Sequence, residues 1–249
     1  MAPEAVTGRE AEEVWGRRIT RAWAEQFPIA PYRKLLLEHQ APSGVRAIEV
    51  GSGPAHDSII LAERGFQVWG VDWSQNGLEA GRRLYEEEGF HLGAVRADIR
   101  ALPFRSDSFD FVWNAGVLEH FRDDDVLHVL SEMRRIARPG ATVLAVVPNR
   151  FYFWYQAHLA LKRLSRRAHQ YGFERAFTAG YLSAQFRRVG FDQIAMTGIH
   201  LHPAPSFLVP KTGWLTNLFA RFLRPLESGG KHSPWRAYLG LDIAVWARK

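Results

Sequence analysis

The stretch Arg46-Ala47-Ile48-Glu49-Val50-Gly51-Ser52-Gly53-Pro54-Ala55 decides the fold, because a short apolar run ends there in two closely spaced glycines. The apolar run predicts a buried β-strand. Gly51 and Gly53 permit a tight turn and a close approach of the backbone to a ligand. Pro54 suits the first turn of a helix, which we expect to end near Gly65. The stretch therefore predicts a strand, a glycine turn and a helix.

The same alternation of strand and helix continues toward the C-terminus. Helices are predicted at 74–88 and 123–137, and strands at 67–71, 91–96, 109–113 and 141–147, the last after the turn Arg138-Pro139-Gly140. Repeated units of this kind predict an α/β fold with a doubly wound, mostly parallel sheet. Two later strands, at 191–200 and 241–247, lack an obvious parallel unit between them, which predicts an antiparallel edge.

One domain with three regions is predicted. The chain has 249 residues and 47% hydrophobic content, enough for a packed core. Residues 1–44 form an N-terminal helical arm, 45–148 a ligand-binding core, and 149–249 a substrate lid region with the final strands. These divisions are expected to be lobes of a single domain.

Composition excludes several kinds of chemistry. The chain has no cysteine, which rules out disulfides, thiolate zinc sites, cysteine nucleophiles and cysteine-bound iron-sulfur clusters. Apolar runs are far shorter than a membrane span of roughly 20 residues, and no secretory leader is evident. We expect a cytoplasmic protein. Residues 150–249 carry 15 Lys and Arg against 4 Asp and Glu, which leaves peripheral contact with an anionic membrane open.

Three acidic residues at predicted strand ends indicate the ligand. Glu49 would attract an ammonium and a sulfonium but repel a pyrophosphate. Asp72 can accept hydrogen bonds from ribose hydroxyls. Asp98 can accept from an adenine amine, while the N–H of Ile99 donates to the ring. His56 stands where a loop that binds NAD requires glycine or alanine. This pattern favours S-adenosylmethionine (SAM) over NAD.

The sequence resembles the class I SAM-dependent methyltransferase family over roughly residues 45–148. The resemblance is carried by the glycine stretch quoted above, Val71-Asp72, Ala97-Asp98-Ile99-Arg100-Ala101-Leu102-Pro103-Phe104, Ser108-Phe109-Asp110-Phe111-Val112, Val117-Leu118-Glu119-His120-Phe121 and Arg138-Pro139-Gly140. It implies a Rossmann-like methyltransferase fold with seven strands, the last antiparallel. It also implies SAM as methyl donor, S-adenosylhomocysteine as product, and no metal.

The resemblance assigns roles to individual positions. The cofactor-binding residues that it implies are Glu49, Gly51, Ser52, Gly53, Asp72, Trp73, Asp98, Ile99 and Asn114, with Asn114 facing the methionine moiety. Ala55 departs from the family, which often has a third glycine there. Residues 114–117 lack the Asn/Asp-Pro-Pro-aromatic motif of methyltransferases that act on nucleic-acid bases, so a nucleic-acid partner is not expected.

Residues for the acceptor and for catalysis are less constrained. His120, just beyond the fourth strand, is either a general base or a structural histidine. Trp154, Tyr171 and His200 are candidates for binding the acceptor. His200 and His202 share one face of a strand, but without a third ligand no metal site is expected.

Two basic and aromatic segments, 151–167 and 212–226, form either a substrate lid or an interfacial surface. The predicted function is transfer of a methyl group from SAM to an O, N or C atom of a small or lipid-like acceptor. The alternatives are a non-catalytic adaptor that binds membrane or nucleic acid and, less favoured, an NAD-dependent oxidoreductase. The acceptor and the oligomeric state are left open.

Overall fold

The computed structural model describes residues 36–38, 40–41, 44–153, 156–157, 174–199 and 232–249. Its strands are β1 (Arg46–Val50), β2 (Gln67–Asp72), β3 (Leu92–Arg96), β4 (Phe109–Ala115), β5 (Ala137–Pro148), β6 (Ile194–Ile199) and β7 (Asp242–Arg248). The helices that flank them are α1 (Ile59–Glu63), α2 (Gln75–Glu87), α3 (Asp123–Ile136) and α4 (Ala179–Arg188). Two short 3-10 helices span Leu118–His120 and Pro234–Tyr238.

All seven strands form one sheet in the order β3-β2-β1-β4-β5-β7-β6. Strands β1 to β5 pair in parallel, whereas β7 runs antiparallel to both β5 and β6. The predicted α/β fold, with its doubly wound sheet and antiparallel last strand, is confirmed. The chain order reverses between β1 and β4, which is where ligands bind in open α/β sheets.

The central strands are buried on both faces. Ile48 and Val112 point toward the core that includes α3 and α4, while Ala47 and Trp113 point toward the core formed with α1 and its neighbours. Strands covered by helices on both faces lose the alternation of apolar and polar residues. This explains why the strands read as continuous apolar runs.

Helix α2 packs unusually closely against the glycine loop that follows β1. Ser74 caps this helix as predicted, its Oγ accepting from the N–H of Gly77. A Cβ on Gly77 would lie 3.2 Å from the Cα of Gly53, and a Cβ on Gly81 would lie 2.5 Å from the carbonyl oxygen of Pro54. The two glycines, four residues apart, therefore form a groove on α2 that receives the backbone of residues 53–54.

The helix after β1 begins later than predicted. Helix α1 starts at Ile59, not at Pro54, so the predicted start was wrong. Ala55 has a φ of +51°, a left-handed conformation that interrupts any right-handed helix begun at Pro54. Ala55 occupies the position where the family often has glycine, and its methyl group is fully buried.

The predicted turn at Arg138-Pro139-Gly140 is part of a strand instead. Strand β5 already begins at Ala137. Phe109 pairs with Ala137 and Phe111 with Thr142, so residues 138–141 form an irregularity in the ladder. Gly140 has a φ of +82°, and its N–H donates to the carbonyl oxygen of Lys249. Pairing on both sides of this irregularity makes it a bulge rather than a turn.

Carboxylates tie the sheet to its connections. Desolvation raises the pKa of Asp110, but the N–H groups of Arg46 and Val45 and the Arg138 guanidinium, 2.8 Å away, outweigh it and leave this pKa below its usual range. Arg135 likewise lowers the pKa of Glu132, which accepts from the N–H of Leu102 at 2.7 Å. Both carboxylates therefore stay ionised and anchor the loops that they contact.

Within the residues that the structure describes, no helix is long and apolar enough to cross a membrane. The N-terminal arm predicted for residues 1–44 lies almost entirely outside these residues. The division of the chain into three regions stays a prediction, although β6 and β7 from the third region belong to the same sheet as the core.

Candidate functional site

The candidate site lies at the carboxyl ends of the parallel strands, where the chain order reverses between β1 and β4. Gly51 follows β1 with a φ of +74°. A Cβ at this position would lie 2.7 Å from a methyl carbon of Val117, which follows β4. Glycine is therefore required at position 51 both by its backbone conformation and by the lack of space.

Asp72, at the end of β2, is held by backbone N–H groups. Its Oδ2 accepts from the N–H of Gly53 at 2.7 Å, and its Oδ1 accepts from the N–H of Ser74 at 2.8 Å. A carboxylate held in this way keeps one orientation. The carboxylate therefore has a fixed orientation suited to a pair of vicinal hydroxyls.

Asp98 follows β3 and is paired with Arg100. Arg100 donates through Nε to both carboxylate oxygens and through Nη2 to Oδ2 at 2.7 Å, and its backbone N–H donates to Oδ1 at 2.9 Å. This pairing lowers the pKa of Asp98. Arg100 also contacts Asp125 of α3 at 3.2 Å. The Asp98 side chain is 36% exposed, so a donor such as an adenine amine can still reach it.

Glu49 is buried beneath the glycine loop. Its Oε2 accepts from the hydroxyl of Ser58 at 2.6 Å, and that hydroxyl accepts from the indole N–H of Trp113 at 2.9 Å. The sequence predicted Glu49 as a residue that lines the ligand directly. The structure places its carboxylate in a chain of hydrogen bonds that joins β1, α1 and β4.

Tyr85 of α2 fixes the far side of the same loop. Its hydroxyl donates to the carbonyl oxygen of Ala55 at 3.0 Å. Burial, with the nearby charges of Glu49 and Asp57, raises the pKa of this hydroxyl far above its usual value, so it remains a donor. The loop is therefore held from α2 as well as from β2.

Three further residues predicted for the cofactor are Ser52, Trp73 and Asn114. Ser52 is buried and its Oγ donates to the carbonyl oxygen of Gly53 at 3.2 Å. Trp73 follows Asp72, and the guanidinium of Arg96 lies 5.5 Å from its ring centre. Asn114 is fully buried at the end of β4, its Nδ2 lying 3.4 Å from the sulfur of Met133. Among the described residues, its Oδ1 has no hydrogen-bond partner.

His120 is half-buried in the 3-10 helix that follows β4, and so lies at the same edge of the sheet. A polar cluster stands next to this helix. The backbone N–H of Arg175 donates to the carbonyl oxygen of Glu119. The guanidinium of Arg175 pairs with Asp123, and Asp123 also accepts from the hydroxyl of Tyr181 at 2.7 Å. These donors hold the pKa of Asp123 below its usual range.

The three residues predicted to bind the acceptor, Trp154, Tyr171 and His200, lie outside the described residues, as does His202. Their roles stay predictions. Within the described ranges, no group of three side chains is arranged to hold a metal ion.

Several residues that shape the site were not identified from the sequence. The spacing of Gly77 and Gly81 within a predicted helix was an available signal, because glycine disfavours helix interiors by about 1 kcal/mol. Arg100 stands only two residues after Asp98, so a local ion pair could also have been anticipated. The Ser58 and Tyr85 contacts join elements distant in sequence and left no such signal.

The site fits SAM. The glycine backbone at positions 51 and 53 can approach a ligand closely. Asp72 and Asp98 lie at the ends of neighbouring strands, and carboxylates are groups that accept from ribose hydroxyls and from an adenine amine. Both carboxylates are oriented by protein donors.

The comparisons with known proteins agree with this fit. Residues 47–140 match a family model described as a methyltransferase domain. Among curated relatives, a demethylmenaquinone methyltransferase of Anoxybacillus flavithermus is 36% identical over 107 residues, 41% of this chain and 44% of the relative. This chain thus spans less than half the length of the curated relatives that it matches first.

Solved structures share the fold at low sequence identity. A SAM-dependent methyltransferase of Thermotoga maritima superposes with a TM-score of 0.66 at 17% identity, covering 95% of this chain and 99% of that one. A phosphoethanolamine N-methyltransferase of Haemonchus contortus, in complex with S-adenosylhomocysteine, gives 0.63 at 17% identity and covers 98% of this chain and 60% of that one. Residues 47–140 of this chain thus match a methyltransferase domain, and the solved structures share its fold.

Proposed function

We propose that this protein transfers the methyl group of SAM to an O, N or C atom of a small apolar acceptor, with a quinol-like aromatic ring as the first candidate. The observation that carries the proposal is the pair of pre-oriented carboxylates, Asp72 and Asp98, beside the glycine loop at the reversal of chain order. Asp72 suits the ribose hydroxyls of SAM, and Asp98 suits its adenine amine.

The protein's part in such a reaction is mainly positioning. SAM supplies an electrophilic methyl group on a positively charged sulfur. Asp72 and Asp98 would hold the nucleoside, and the backbone around Gly51 and Gly53 would hold the rest of the molecule at the sheet edge. Aligning donor and acceptor and excluding water can supply much of the rate, so a base is needed only for an acceptor that ionises poorly.

The acceptor class is supported by the relatives and by the chain's composition. The first curated relatives are named demethylmenaquinone methyltransferases, at 33–36% identity over 107 residues. Aromatic residues make up 13% of the chain, and they are frequent in the region after residue 149. Apolar and aromatic side chains are the usual lining for an apolar ring. An apolar aromatic acceptor is therefore the first to test.

Calorimetric titration tests the cofactor assignment. We expect the purified protein to bind SAM and S-adenosylhomocysteine but not NAD. Asp72→Ala and Asp98→Ala should each weaken SAM binding by about tenfold or more, because each removes a hydrogen bond from a charged acceptor. Asp192→Ala is the matched control, because this exposed carboxylate precedes the edge strand β6, and it should bind SAM like the unaltered protein.

The titration separates the alternatives. Failure to bind both SAM and S-adenosylhomocysteine would contradict the proposal and favour an adaptor. Binding of NAD would favour an oxidoreductase. If SAM binds, transfer of a radiolabelled methyl group to short-chain quinols and other phenols then tests the acceptor class.

We further propose His120 as the general base for a weakly acidic hydroxyl. With such an acceptor, His120→Ala should lower kcat by about a hundredfold, within the range usual for loss of a positioned base, and leave the Kd for SAM unchanged. The loss should shrink as the acceptor becomes more acidic. Unchanged turnover with intact SAM binding would show that His120 has a structural role only.

A further inference from the structure

An exposed aromatic surface lies where β5 ends. Phe151, Trp235 and Tyr238 leave 54%, 52% and 59% of their surfaces accessible to solvent. The ring centres of Phe151 and Tyr238 are 5.4 Å apart, so the two segments contribute to one surface. We call these three residues the aromatic patch. Phe151 opens the segment 151–167, for which the sequence left an interfacial surface open, whereas Trp235 and Tyr238 were not singled out.

The patch is continuous because of its backbone geometry. Trp235 and Tyr238 are three residues apart in the 3-10 helix Pro234–Tyr238, a spacing that places side chains above one another on the same face. The amide of Asn149 donates to the carbonyl oxygens of Ala237 and Gly240 at 2.9 and 2.7 Å. This buried contact fixes the 3-10 helix against the chain that carries Phe151. The exposed residues Phe153 and Leu239 adjoin the patch in sequence.

Basic residues accompany the patch. Arg150 precedes Phe151 and is exposed, and the guanidinium of Arg236 lies 5.1 Å from the ring centre of Trp235. These two arginines give the patch a positive charge that complements a negatively charged surface.

We propose that the aromatic patch docks this protein on an anionic phospholipid membrane. Trp and Tyr favour the boundary between lipid and water, where the ring contacts acyl chains and the polar group stays hydrated. Neighbouring arginines add attraction to anionic headgroups. The inference deepens the proposed function, on which it rests, because a long apolar acceptor would be dissolved in such a membrane.

Vesicle flotation tests the docking surface. The full chain should bind vesicles of mixed phosphatidylcholine and phosphatidylglycerol more strongly than phosphatidylcholine alone, and salt should weaken the binding. The triple variant Phe151→Ser, Trp235→Ser, Tyr238→Ser should lower the partition coefficient by about tenfold or more, because three exposed rings lose their contact with lipid. Val45→Ser is the control, since Val45 is 56% exposed before β1 and should have no effect.

A second variant tests the charge without altering apolar surface. Arg150→Gln should lower the partition coefficient about fivefold on anionic vesicles and leave it unchanged on neutral ones. The backbone N–H of Arg150, which donates to the carbonyl oxygen of Phe177, is not affected by this change.

Several outcomes would overturn the inference. The unaltered protein could fail to bind vesicles, or it could bind neutral and anionic vesicles equally. A folded triple variant could also bind vesicles as strongly as the unaltered protein. A dimer that dissociates only in the triple variant, without vesicle binding, would assign the patch to a second copy of this chain. SAM titration of each variant reports on the proposed function separately, so vesicle binding without SAM affinity would reject that function but support the surface.

Discussion

Gly81→Ala is expected to destabilise the protein by about 1–3 kcal/mol and to weaken SAM binding by about tenfold. A Cβ at this position would lie 2.5 Å from the carbonyl oxygen of Pro54 and 2.9 Å from a methyl carbon of Leu92. The first of these atoms belongs to the backbone of the glycine loop and cannot rotate away as a side chain can. Helix α2 and the loop must therefore separate.

An opposing effect must be weighed against this clash. Alanine favours a helix interior over glycine by about 1 kcal/mol. Gly180, in the first turn of α4, has no atom within 4 Å of a Cβ placed there, so it reports the helix preference of alanine without a clash. Gly180→Ala should therefore stabilise the protein by up to about 1 kcal/mol, without changing SAM binding.

Urea unfolding and SAM titration of the two variants give the comparison. If Gly81→Ala were as stable as Gly180→Ala, the close contact between α2 and the loop would not exist in solution. If it lost stability but kept its SAM affinity, the contact would support the fold without positioning the loop.

Asn149→Ala is expected to lower the free energy of unfolding by about 3–5 kcal/mol. The amide donates to the carbonyl oxygens of Ala237 and Gly240, and its Oδ1 accepts from the N–H of Phe151 at 3.0 Å. The side chain is fully buried, so its removal leaves backbone groups without partners, at about 1–3 kcal/mol each. The end of β5 would then separate from the turn that leads into β7.

Asn149→Asp separates the role of the amide N–H groups as donors from the role of Oδ1 as an acceptor. The carboxylate keeps an acceptor for Phe151 but sets a negative charge against two carbonyl oxygens, so it should be at least as destabilising as alanine. Glu86→Ala, at an exposed position on α2, is the control and should change stability by no more than about 0.5 kcal/mol. Chemical denaturation should rank the variants in this order, and an Asp variant as stable as the unaltered protein would refute the hydrogen-bond assignment.

The parts of the fold that local patterns determine were predicted from the sequence. Strands such as Arg46–Val50 are short apolar runs bounded by glycine, and Ser74 is a strong N-cap, so both were located closely. The predicted start of α1 failed at Ala55, whose left-handed φ is imposed by the surrounding loop and is unusual for alanine. The start of β5 failed because its first residues pair beyond a bulge, a tertiary feature without a local signature.

The positions of the site's strand-end carboxylates were predicted from the sequence, but the contacts between distant elements were not. Asp72 and Asp98 lie at strand ends as expected, because the order of strands and helices determines which residues reach that edge. The burial of Glu49 against Ser58 was not predictable, since it depends on how α1 packs on β1 and β4. The residues predicted to contact the acceptor come from a region without repeated α/β units, where the sequence offers no comparable pattern.

The left-handed residue in the glycine loop also affects the thermodynamics of ligand binding. A glycine at position 55 would sample many backbone conformations, whereas alanine has few, and here its methyl group is buried and its carbonyl oxygen accepts from Tyr85. A loop so restricted loses little conformational entropy when a ligand binds. The left-handed alanine, which costs about 1–2 kcal/mol in the folded protein, thus helps to preserve affinity by keeping the loop ordered before the cofactor arrives.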